Sequence, residues 1–138
     1  MGAKDPRYQK LTGPARRADA QKQRVLEDGG YAPIPHPIYR EILAKLVKEY
    51  KGATARDALT LYMYLHSYVN GTATNDWYMW AFPTVEQIRK DTGIHQDRIR
   101  SLSQILEAEG LLITTFIPWQ GNRKKMYLPL YYADEVGK

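Results

Sequence analysis

The chain contains no cysteine in its 138 residues. That excludes a disulfide framework and any cysteine-ligated metal site, and it is compatible with a cytoplasmic protein. Histidine is scarce: His36, His66 and His95 stand far apart and lack metal-ligand spacing. No phosphate-cradling glycine loop occurs, and there is no Gly-Lys-Ser/Thr triplet. No apolar run is long enough to span a bilayer. The basic N-terminus lacks a hydrophobic segment, so a secretory signal is not expected. Glu107 and Glu109, two positions apart on a helix, cannot face each other. The expectation is a chain that is not an enzyme and uses neither a cofactor nor a metal.

What is present is charge and pattern. Twenty Lys and Arg against fifteen Asp and Glu give a formal charge of +5, which suits an anionic partner. The hydrophobic fraction of 43% is ordinary for a globular protein and leaves room for one compact domain plus an extension.

The most informative stretch runs from Phe82 to Tyr131. Pro83 keeps the residue before it out of the helical region, and Thr84 can cap a helix with Gln87 three residues on. Val85 and Ile88 give that helix an apolar side. Thr92 and Gly93 break it, because glycine takes positive φ at little cost. Ile94 plugs the turn. A second helix opens at His95, Gln96 and Asp97, and Ile99, Leu102, Ile105 and Leu106 recur at helical spacing. Gln96, Arg98, Arg100, Ser101 and Gln104 lie off that stripe. Gly110 suits a left-handed cap. Leu111 to Ile117 is rich in β-branched residues and reads as a strand, Pro118 and Gly121-Asn122 as a turn, and Met126 to Leu130 as the return strand. Arg123, Lys124 and Lys125 fall beside the loop tip.

Earlier in the chain, residues 1–30 read as a basic extension, helical over 15–28 between Pro14 and Gly29-Gly30. Tyr31 to Pro37 is proline-rich and extended. Ile38, Ile42, Leu43, Leu46 and Val47 predict an amphipathic helix over about 38–51. Thr54 is expected to cap a helix over about 55–69 that is apolar nearly all round, with a second face available to a homodimer partner. Trp77 to Phe82 alternates and predicts a strand at about 78–82 that joins the ribbon. With helices at about 84–91 and 96–109 and strands at about 111–117 and 125–131, the fold class is α+β, mainly α. It is a winged helix-turn-helix with extra N-terminal helices and a small antiparallel sheet, filling residues 31–138. The polar end from Tyr132 to Lys138 is expected to fray.

The segments ALTLYMYLHSYV, WAFPT, VEQIRKDTGIHQDRIRSLSQILEAEGLL and KKMYLPLY together resemble the N-terminal winged-helix domains of plasmid and phage replication initiators, the RepA and DnaD-like group. YAPIPHPIYREIL resembles the lead-in to such domains. The resemblance implies a bacterial, plasmid- or phage-encoded cytoplasmic protein. It would bind double-stranded DNA at an origin, with a homodimer and replication proteins as further partners.

In a winged helix the second helix enters the major groove and the wing lies on the backbone or minor groove. The expected DNA-contacting residues are Thr84, Arg89, Lys90, His95, Gln96, Arg98, Arg100, Ser101, Gln104, Asn122, Arg123, Lys124 and Lys125. Arg pairs bidentately with guanine and Gln with adenine. Three alternatives stay open: a transcriptional regulator of the same fold, a protein-interaction module of a replication complex, and single-strand binding through the aromatics.

Overall fold

The computed structural model describes residues 5–133, so the expectation for 134–138 lies outside them. The chain divides into two compact units, Met1–Ala32 and Pro33–Lys138. In the first, Asp5 caps a 3-10 turn, Pro6–Leu11, by accepting from Arg7 N, and the turn runs straight into helix α1, Thr12–Asp28. Within this unit no side chain of α1 is buried. Gly29, at φ 74°, ends it.

The second unit is helical with a two-stranded antiparallel sheet. A π-helical turn, Ile38–Leu43, leads into helix α2, Ala44–Glu49. The periodicity at 38–47 predicted one regular helix; the first six residues are instead wound wider, still burying Ile38. Helix α3, Gly52–His66, starts after Lys51 in extended geometry. Thr54 therefore lies inside the first turn and is not the cap. Its buried residues include Ala58, Leu61, Tyr62 and Leu65, and they form the centre of the core.

The helix-turn-helix pair is α4, Val85–Thr92, and α5, Gln96–Ala108. Thr84 Oγ1 accepts from Gln87 N at 3.0 Å, the cap its sequence promises. Gly93 at φ 76° closes α4 in the left-handed region, which a side chain would strain. Ile94 N donates to Thr92 Oγ1, and the Ile94 side chain plugs the turn at 4% exposure. His95 Nδ1 then accepts from Asp97 N at 3.2 Å and caps α5. Ile88, Ile99, Leu102 and Leu106 bury the inner faces of the pair against α3. Complete burial of such a side chain is worth about 1.5–3 kcal/mol.

Strands β1, Leu112–Trp119, and β2, Asn122–Pro129, form the wing. Their turn is Gln120-Gly121, both at positive φ (48° and 76°), the geometry whose twist matches a hairpin. Pro118 was expected in the turn; it lies inside β1, opposite Arg123. The strand expected at 78–82 is not formed. Met79 takes a left-handed φ of 71°, which breaks the alternation. Successive turns fold 72–80, held by Asn70 and Asn75 side chains. Only Ala81 pairs with the ribbon, exchanging both backbone hydrogen bonds with Tyr127 at 2.7 and 2.8 Å.

Three polar links tie this frame together. Lys45 Nζ of α2 lies 2.7 and 3.0 Å from the two carboxylate oxygens of Glu109, just past α5. Tyr64 of α3 donates to Asp91 of α4 at 2.6 Å. Arg98 of α5 donates to Asp57 of α3 at 2.5 Å.

Candidate nucleic-acid interface

Strand geometry decides which wing residues share a face, because successive side chains alternate. The observed register puts Thr114, Phe116, Arg123, Lys125 and Tyr127 on one face of the ribbon. It puts Ile117, Trp119, Asn122 and Lys124 on the other. The basic triplet at the loop is therefore split.

The first face looks at α5. Gln96, Arg100, Ser103, Gln104 and Glu107 follow one another at helical spacing along the adjacent side of α5. Between helix and wing lies an open groove of about 540 Å³, lined by these residues with Arg123, Lys125, Phe116 and Thr114. Arg123 stacks on the exposed Phe116 ring at 4.5 Å, and Lys125 lies over the Tyr127 ring at 5.3 Å. Burial, with a lesser contribution from the charge of Glu107, pushes the Tyr127 phenol up to about 12, so it stays neutral. Thr114 donates its hydroxyl to Glu107, which fixes the one carboxylate among the described residues that line the groove.

Five of the residues expected from sequence thus meet in one place: Gln96, Arg100, Gln104, Arg123 and Lys125. Thr84, Asn122 and Lys124 line a neighbouring hollow of about 520 Å³, which also reaches Arg123 and Lys125. The Thr84 hydroxyl is engaged as a cap, and Asn122 Oδ1 accepts from Arg123 N at 2.8 Å. Arg89, Lys90, His95 and Ser101 are exposed but line neither hollow. Arg98 is turned back onto Asp57 and is half-buried. Sequence reading missed Phe116 and Thr114, and took Glu107 only as an acid near the end of the second helix that dilutes its positive field. Once the turn is placed at Gln120-Gly121, period-two counting back from Arg123 and Lys125 finds Phe116 and Thr114.

Residues 56–112 match the family described as a helix-turn-helix domain. The match spans most of α3, all of α4 and α5, and the first residue of β1. It supports a DNA-binding helix-turn-helix, here completed by a wing into a winged fold. The chain matches no curated protein and no solved structure.

Proposed function

We propose that this chain is a sequence-specific double-stranded DNA-binding protein that acts by binding rather than by catalysis. Helix α5 enters the major groove with Gln96, Arg100 and Gln104 at base edges, and the wing lays Arg123 and Lys125 on the flanking phosphates. The observation that carries this reading is the single groove in which the exposed side of α5 and the cationic face of the ribbon meet. Arg98 is removed from the base-reading set, because its guanidinium is committed to Asp57. Lys124, expected as a backbone contact, is left out of the phosphate-contacting set, since it lies on the other face of the ribbon from Arg123 and Lys125.

The cellular role we favour is initiation of replication at a plasmid or phage origin, on the strength of the segments that resemble such initiators. Transcriptional control would use the same interface. Selection of preferred duplexes from a random pool tests the core of the proposal. A defined consensus that competes against random duplex at moderate salt is expected; equal binding to all duplexes, or none at low salt, overturns it.

A homodimer is part of the proposal. Met63, on the outer side of α3, is 42% exposed, and Tyr39 donates to its sulfur. Tyr39 itself is 44% exposed. A palindromic consensus, with half-sites separated by whole helical turns, is the expected sign of two-fold binding.

A further inference from the structure

Lys124 sits where a wing lysine would be assigned to a phosphate, yet its ammonium is enclosed by aromatic rings. Nζ lies 4.0 Å from the Phe82 ring centroid, 4.0 Å from Trp119 and 5.7 Å from Trp77. The rings also pack on one another: Trp77 meets Phe82 at 5.3 Å and Trp119 at 5.4 Å, both edge to face. Among the described residues Lys124 has no carboxylate partner. Each ring face offers the negative side of its quadrupole to the cation, and the site is partly desolvated. The three rings come from different parts of the chain. Trp119 belongs to β1, whereas Trp77 and Phe82 belong to the folded segment before α4.

That segment is joined to the ribbon by a single backbone pair, Ala81 with Tyr127. Tyr127 is near the base of the wing, five residues from Asn122 at its tip. Nothing in the backbone ladder holds the outer half of the hairpin against the body. The lysine and its rings are the only contact that does so between Trp119–Lys125 and the 77–82 segment among the cation–ring and ring–ring pairs described.

We propose that Lys124 is a positioning residue, a cationic strut that clamps the outer wing onto the Trp77–Phe82 segment and so aims Arg123 and Lys125 into the groove beside α5. This rests on the DNA-binding reading for its purpose but not for its existence. The wing then supplies two phosphate-directed cations from its basic triplet, not three.

The test uses the full chain with Lys124→Ala, Lys124→Arg and Lys124→Met. Two of the three tryptophans line the cage, so emission of the free protein reports on it. Lys124→Ala is expected to shift tryptophan emission to the red and speed amide exchange at 119–125 without DNA. It should weaken duplex binding several-fold while leaving the slope of log K against log salt at the wild-type value. Lys124→Arg restores all three, because guanidinium also stacks on rings. Lys124→Met keeps the stem's packing without the charge, and its emission is decisive if the alanine variant fails to fold. A slope reduced by about 0.9 with unchanged emission makes Lys124 a phosphate contact and overturns the strut. If wild type binds no duplex, the DNA-binding reading fails by itself. The strut is then decided by emission and exchange alone.

Discussion

Arg98 and Asp57 meet at 2.5 Å across the contact between α5 and α3. Their side chains are 42% and 32% exposed, so solvent screens the pair and limits its worth to about 0.5 kcal/mol. Its value is directional. It fixes the first turn of α5 about its axis and leaves Gln96 and Arg100 facing the wing. Arg98→Ala and Asp57→Ala are each expected to lower stability slightly, with non-additive effects in the double variant measured by urea melts. Neither should change the salt slope of duplex binding. A slope that falls with Arg98→Ala alone would return this arginine to the DNA.

Arg100 is the strongest candidate for reading a base. It is exposed, lines the groove and has no carboxylate partner among the described residues. Arg100→Ala is expected to reduce affinity for the selected consensus by ~1–3 kcal/mol and to relax specificity at one position. Competition binding with single-base variants of the consensus reads both effects. An equal loss on random duplex identifies a phosphate contact instead.

Arg123 and Lys125 lie on the α5-facing side of the ribbon, and their ring contacts with Phe116 and Tyr127 hold the stems in place. Charge removal at either is expected to lower the magnitude of the salt slope by about 0.9, uniformly across sequences. Titrations at three or more salt concentrations give the slope directly. Two variants with the wild-type slope would remove the wing from the interface.

Glu107 is the carboxylate inside the groove, pinned by Thr114 and near the phenol of Tyr127. A fixed negative charge there opposes phosphate along the whole approach. Glu107→Gln keeps the hydrogen-bonding shape and removes the charge, so it should tighten non-specific duplex binding. If instead it loosens consensus binding at a single cytosine, Glu107 is an acceptor for that base's amino group.

How much of this was legible in the sequence follows from the range of the forces involved. The caps and turns of α4 and α5 are local, so Thr84, Gly93, Ile94 and Gly110 could be read one residue at a time. The split of Arg123, Lys124 and Lys125 between two faces follows from alternation once β2 is seen to begin at Asn122. With Pro118 read as part of the turn, the return strand reads as starting near residue 125 and the triplet as loop. The partner of Arg98 lies 41 residues away on α3, beyond any spacing rule. Trp77 to Phe82 has the composition of a strand, but Asn70 and Asn75 hold the chain in turns and Met79 adopts positive φ. Side-chain capping of backbone there outweighs β-propensity.

His66 sets the expected pH dependence of stability. It is 3% exposed at the end of α3, with Nε2 donating to Leu130 O at 3.2 Å. Tyr62, one turn earlier, donates to the same carbonyl at 2.5 Å, and its ring meets the imidazole edge-on at 4.6 Å. Burial holds the His66 pKa below its ordinary 6.5, opposed only by the Leu130 carbonyl. The folded state therefore keeps the ring neutral while the unfolded chain protonates. Stability is full above about pH 6.5 and declines as pH falls from there to the lowered folded value, because the unfolded state binds the extra proton. Tm should fall between neutral pH and about pH 5.5, more steeply for wild type than for His66→Gln, which cannot protonate in that window. The difference between the two profiles isolates this histidine from the carboxylates that titrate lower. Parallel profiles would mean that the ring takes its proton without leaving the core.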